Sequence, residues 1–269
     1  MAQSDDQDKA LFGAKQTDGL VTAAVLVIGD EILSGRTKDK NIGFIAEYLT
    51  ASGIQLREVR VVPDVHETIV AAIEALSGAY DYLFTTGGIG PTHDDITADA
   101  VAAAAGVPLN IDPRAVALLE ARHGAEGLND ARMRMARIPD GADLIENKVT
   151  AAPGFRLNNI IVMAGVPSIM QSMLDAVAPT LKTGRKVESR TILANHREGD
   201  LAALLGELQS KTDVAIGSYP SFENGVFRTS VVLRSADADA LTVAEAERSG
   251  GERGADEWSA DEAETAAEH

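Results

Sequence analysis

The run Thr85–Thr97, TTGGIGPTHDDIT, combines residue types that handle a phosphorylated ligand. Gly87, Gly88 and Gly90 carry no Cβ that would keep backbone N–H groups away from an anion. Thr86, Pro91 and Thr92 complete the loop as candidate phosphate contacts, and the helix expected after it adds partial positive charge at its start. Asp94 and Asp95 come next. Two carboxylates beside a phosphate suit a hard divalent cation such as Mg2+ bridging them. The run contains no GK[ST] and its glycines are not spaced as GxGxxG, so it is neither a P-loop nor a dinucleotide fingerprint. A second candidate segment, Ile28–Asn41 (IGDEILSGRTKDKN), supplies Asp30, Glu31 and Ser34. A third, VVPDVHET, supplies Asp64, and Gly165 in AGVP allows another close backbone approach.

These residues divide into expected roles. Asp95, Asp64 and Asp30 are the candidate catalytic carboxylates. Asp94, Asp95 and Glu31 are the candidate metal ligands. Thr86, Gly87, Gly88, Gly90, Pro91, Thr92, Ser34 and Gly165 are the candidate contacts to a phosphate. Each has an ordinary alternative: a glycine turn, acids capping a helix, or Asp39 or Asn41 as the N-cap of the next helix. His66, His93, His123 and His196 show no HxxxH pairing, so a histidine metal site is not expected. His93 reads as a surface polar residue. There is no GxSxG elbow.

The surrounding elements must bring these segments together. Thr22–Gly29 is a short apolar run that reads as a buried strand, and Ile54–Pro63, Tyr80–Gly88 and Asn158–Pro167 also read as strands. Helical spacing is carried by Ile42, Ile45, Ala46 and Leu49, and by Ile69, Ala72, Ile73 and Leu76, with Gly53 and Gly78 as stops. Asp94–Gly106, Asp112–Gly124, Asn129–Pro139 and Pro167–Leu181 also read as helices. Repeated β–α units argue for a mostly parallel sheet covered on both faces. In such sheets ligands bind at the carboxyl ends of the strands, where all three acidic segments fall. Strands at 187–194, 213–220 and 226–235, with helices at 198–210 and 237–247, form a small α+β segment. The expected organisation is a polar tail at 1–20, an α/β domain at 21–183, the small segment at 184–247 and an acidic tail at 248–269, in which Trp258 is a lone apolar residue on a solvated stretch.

Composition narrows the possibilities. With 24 Lys+Arg against 41 Asp+Glu the net charge is −17, which argues against a nucleic-acid partner. No cysteine is present, so disulfides and thiolate metal centres are excluded. No run of about 18 apolar residues exists, and no basic-then-apolar leader opens the chain, so no membrane span and a cytoplasmic location are expected.

The segments GDEILSG, DKN, VVPD, TTGGIGPTHDDITADAVA, IPDGADLIENKVTAAPGF and AGVPSIM occur in the order found in the molybdopterin-binding domain of competence/damage-inducible protein A. EGDLAALLGEL and IGSYPSF resemble the small segment that comes after it there. The chain thus resembles that CinA-like family from about Val21 to Glu247. The same domain type occurs in molybdopterin adenylyltransferases and in the molybdopterin-binding-like half of FAD synthase. The resemblance implies a three-layer α/β/α sandwich that binds molybdopterin or an adenine nucleotide through the glycine loop with Mg2+ or another divalent cation, and that forms a homo-oligomer. It implies a nucleotide pyrophosphatase for ADP-ribose- or FAD-like substrates. The alternatives are adenylylation of molybdopterin, or pterin or nucleotide binding without turnover. Asp95 and Asp64 match the two acids that the adenylyltransferases need. Ala164 and Ile169 stand where the family pattern has Pro and Glu. No segment resembling the amidohydrolase domain is present, so deamidase activity is not expected.

Overall fold

A computed structural model describes residues 19–212, 214–223, 226–249 and 258–259 of the 269. The chain divides into two compact units, Met1–Arg185 and Lys186–His269. In chain order the first holds β1 (Val21–Ile28), α1 (Asp30–Leu33), α2 (Asn41–Ala51), β2 (Ile54–Val62), α3 (His66–Ala79), β3 (Tyr82–Thr86), α4 (Thr97–Ala105), β4 (Leu109–Ile111), α5 (Pro113–His123), α6 (Asp130–Arg134), β5 (Arg137–Pro139), β6 (Asp143–Ile145), β7 (Gly154–Leu157), β8 (Ile160–Met163) and α7 (Pro167–Val177). The second holds β9 (Glu188–Ala194), α8 (Glu198–Lys211), β10 (Ala215–Glu223), β11 (Val226–Ser235), α9 (Ala238–Ser249) and β12 (Trp258–Ser259).

The main sheet of the first unit has the order β2-β1-β3-β8-β7-β6. The first four strands run parallel, and β7 runs antiparallel between β8 and β6. This is the mostly parallel α/β sheet that the β–α repeats imply. Strand β1 shows why its sequence is apolar on both sides. Ala24, Leu26 and Ile28 pack under α3, α4 and α5, through Ile69, Ile73, Leu76, Val101 and Leu119. Ala23, Val25 and Val27 pack under α2 and α7, through Ile45, Leu49, Met170 and Leu174. With both faces covered, polar–apolar alternation disappears.

Some boundaries differ from the sequence reading. Helix α3 runs through Gly78 to Ala79, because an exposed helical glycine costs only about 1 kcal/mol and nothing crowds this one. Helix α4 starts at Thr97, so Asp94 and Asp95 belong to the loop before it. Residues 129–139 are not one helix. They form the short α6, then β5, which pairs antiparallel with β4. The sequence reading passes over β4, β6 and β7. Strands of three or four residues carry too few positions to display a period.

The second unit is an antiparallel sheet in the order β10-β11-β9-β12. Leu201 and Leu208 of α8, with Leu241 and Ala244 of α9, pack on Ile192, Ala194, Val231 and Leu233. The expected tails lie largely outside the described residues. Trp258 and Ser259, read from sequence as part of a solvated stretch, pair instead with Ala194 and Leu193 of β9. No helix among the described residues is long and apolar enough to cross a membrane.

Candidate functional site

Strand register brings the candidate segments together. Ile28 pairs with Val62, Val27 with Thr86, and Thr86 with Met163. The four parallel strands therefore end side by side, and their C-terminal loops form one row: Asp64 after β2, Asp30–Glu31 after β1, the glycine loop after β3, and Gly165 after β8. Backbone bonds extend the pairing past the strand ends. Gly29 N–H donates to Val62 O at 3.1 Å, and Gly87 N–H to Met163 O at 3.2 Å.

The glycine loop is held by close contacts. Gly87 sits at φ +101° against the end of β1, where a Cβ would lie 2.1 Å from Ile28 O. At Gly88, φ +66°, a Cβ would meet the Thr97 hydroxyl. Thr97 is fully buried and clamps the loop, its Oγ1–H donating to Gly87 O at 2.9 Å and its N–H to Gly88 O at 3.0 Å. Asp95 Oδ2 accepts from Thr92 N–H at 2.8 Å and from the Thr92 hydroxyl. The amides of Gly87 and Thr92 are thus engaged within the protein. The N–H groups of Gly88, Ile89 and Gly90 make no hydrogen bond among the described residues, which leaves them available to an anion.

The carboxylates form an electrostatic group. Asp64 Oδ2 accepts the Asp30 N–H at 2.9 Å. The Asp64 pKa is raised above the usual carboxylate range, first by burial and then by the charges of Asp30, Glu31 and Asp94, against the opposing effect of that N–H. The Thr92 hydroxyl also faces Asp94 and, with a backbone N–H and the charges of His93 and Arg134, holds that carboxyl below its usual range. No Lys or Arg among the described residues forms an ion pair with Asp30, Glu31 or Asp64. This uncompensated charge has the sign that a divalent cation would offset. No three acidic or histidine side chains among the described residues stand ready to enclose one, so a bound phosphate would have to complete the coordination, as is usual for Mg2+.

Beside the row lies a cleft of about 260 Å³ lined by Glu31, Ile32, Lys38, Lys40, Asn41, Thr86, Gly87, Gly165 and Pro167, among others. Asp39 Oδ1 accepts the Asn41 and Ile42 N–H groups at 3.0 and 2.8 Å, so Asp39, not Asn41, caps the start of α2. The buried Asn41 side chain is thereby free to cross to β8, where Nδ2 donates to Gly165 O at 2.8 Å. Its Oδ1 is buried with no partner, and the buried Thr86 hydroxyl has none either. Both unsatisfied atoms belong to residues that line the cleft.

Of the candidates, Asp30, Glu31, Asp64, Asp94, Asp95 and the loop Thr86–Thr92 meet at this edge with Gly165. Ser34 sits apart: it ends α1, is exposed, and its hydroxyl donates to Glu31 O. His93 is almost wholly exposed. Ile169, at the family's Glu position, packs on the core instead. Sequence reasoning misses Lys38, Lys40 and Arg134. Basic residues in "GRTKDKN" and "ARMRMAR" are the available signal, but surface charge is too common to single them out.

Residues 24–183 match the family described as a probable molybdopterin binding domain, and residues 186–248 match the FAD synthase middle domain. A probable FAD synthase of Caenorhabditis elegans is 29% identical over 260 residues, which cover 87% of this chain and 50% of that protein. The chain therefore spans about half the length of that relative. A Thermococcus kodakarensis protein is 37% identical over 213 residues, covering 74% of this chain and 85% of that one. Among solved structures, CinA of Thermoplasma acidophilum, described as of unknown function, superimposes with a TM-score of 0.57 at 36% identity, over 60% of this chain and 98% of that one.

Proposed function

Because this chain belongs to the CinA-like molybdopterin-binding domain family, with a second unit of the FAD synthase middle-domain kind, we propose that its first unit binds a pterin or adenine nucleotide at the shared strand edge and hydrolyses the pyrophosphate bond of an ADP-ribose- or FAD-like nucleotide. The observation that carries this reading is the meeting of Asp64, Asp30, the glycine loop and Gly165 at the ends of four adjacent parallel strands.

Each part has a role in that chemistry. The free N–H groups of Gly88, Ile89 and Gly90 bind phosphate oxygens. A divalent cation bound by those oxygens, with Asp94, Asp95 or Glu31 as a protein ligand, would offset the charge of the pyrophosphate. Asp64 is the base. Its Oδ2 is engaged by Asp30 N–H, so Oδ1 is left to take a proton from water, and its raised proton affinity suits that task. Water oxygen bonds to phosphorus, the bridging P–O bond breaks, and two phosphomonoesters leave. Asp95 keeps the loop closed through Thr92.

Incubating the protein with ADP-ribose, FAD or NAD and Mg2+, Mn2+ or Co2+ tests the reading. AMP release is expected from wild type and at least about 100-fold less from Asp64→Asn, within the range general acid–base groups contribute. No product from folded protein under any condition would remove the hydrolase reading. The family description favours a second reading, pterin or nucleotide binding without turnover. Tight binding of ligand with no product would select it. Adenylylation of molybdopterin would show instead as an ATP-dependent product.

A further inference from the structure

Arg134 ends α6, 42 residues beyond the glycine loop, yet its Nε–H donates to Thr92 O at 3.1 Å. The short helix that carries it is anchored. Asn129 Oδ1 accepts the Arg132 N–H at 2.9 Å, and the Arg132 guanidinium donates to Gly127 O. Just beyond it, Arg137 makes a two-pronged pair with Asp99 of α4, at 2.7 and 2.8 Å. Arg134 is therefore positioned from both sides. It is half-buried, and its Nη1 and Nη2 make no hydrogen bond or ion pair among the described residues.

The surroundings indicate what those nitrogens serve. The loop rim is crowded with acids, and Asp30 and Asp64, which the proposed cation does not pair with, repel a second phosphate. The loop amides can cradle one phosphate group. The second needs a fixed cation, and a guanidinium presents paired N–H groups that match phosphate oxygens. We infer that Arg134 is the anchor for the second phosphate of a diphosphate ligand, and so makes the site select pyrophosphate-containing nucleotides over monophosphates. This inference rests on the proposed nucleotide site but not on its hydrolytic activity.

Calorimetric titration of the full chain in the presence of Mg2+ with AMP, ADP, inorganic phosphate and inorganic pyrophosphate, for wild type, Arg134→Ala and Arg134→Lys, decides it. In Arg134→Ala, ADP and pyrophosphate affinities should fall about 10- to 100-fold, the range for a charge-assisted hydrogen bond, while AMP and phosphate change less than about twofold. Arg134→Lys should recover part of the loss, because it restores charge without the fork. A purely structural role would move all four ligands together, and that result overturns the inference. So does an unchanged ADP/AMP ratio. If wild type binds pyrophosphate and ADP selectively but hydrolyses nothing, this inference stands and the hydrolase reading falls. If folded wild type binds none of the four, both fall.

Discussion

The packing at Gly87 makes the most direct test of the site's architecture. Gly87→Ala would place a methyl carbon 2.1 Å from Ile28 O, a backbone oxygen in the middle of the sheet. Close carbon–oxygen contacts between strands normally run to about 3.3–3.6 Å, so the overlap exceeds roughly 1 Å. Rotation cannot relieve it, because Ile28 is in β1 and the Gly87 N–H is tied to Met163 O. The φ of +101° adds strain for any residue with a Cβ. Left-handed backbone costs about 1–2 kcal/mol and overpacking a further ~1–3 kcal/mol. The sum, roughly 2–5 kcal/mol, is a large part of a typical stability of about 5–15 kcal/mol. Gly43→Ala is the control. It lies on an exposed face of α2 with open space around it, so alanine should stabilise by about 0.5–1 kcal/mol. Urea unfolding monitored by far-UV circular dichroism compares the two. At a slope of about 2 kcal/mol per M, Gly87→Ala should lower the midpoint by about 1–2.5 M and Gly43→Ala raise it slightly. Since the substitution pushes β1 and β3 apart at the ligand edge, nucleotide affinity should fall with it. A Gly87→Ala protein as stable as wild type would refute the close packing of the strand ends.

Three further outcomes are expected. Thr97→Val strips the hydroxyl from the loop clamp and leaves Gly87 O short of a partner, so stability should fall by about 1–2 kcal/mol in thermal or urea unfolding, whereas Thr97→Ser should stay near wild type. A raised Asp64 pKa means the folded state binds that proton more tightly than the unfolded chain; this group's contribution is present below the ordinary carboxylate pKa and lost as pH rises through the raised value. Asp64→Asn, whose amide oxygen can still accept the Asp30 N–H, should therefore flatten that decline, equal or slightly exceed wild-type stability at neutral pH, and abolish turnover; unfolding free energies at several pH values check the sign. Asp39→Ala removes the cap from α2 and should cost about 1 kcal/mol while weakening ligand binding through displacement of Asn41.

Local sequence was sufficient for the helices and strands whose burial repeats within a few residues. Ile69, Ala72, Ile73 and Leu76 mark one face of α3 because a helix repeats every 3.6 residues. The apolar run of β1 marks a strand covered on both faces. The same reasoning reads acids and glycines at strand ends as chemistry, since that edge is where parallel sheets present their loops. Long-range pairing decided the rest. Nothing near Asp64 states that β2 lies beside β1, or that its carboxylate accepts an N–H 34 residues away. Nothing near Asn41 states that its amide crosses 124 residues of chain to Gly165 and leaves a buried oxygen unpaired. Arg134 sits in a segment with no distinguishing pattern and acquires its place only through a bond to the loop. Hydrogen bonds and charge act through space, so the partner of a polar side chain depends on the completed fold, whereas the periodicity that buries an apolar one is already written along the chain.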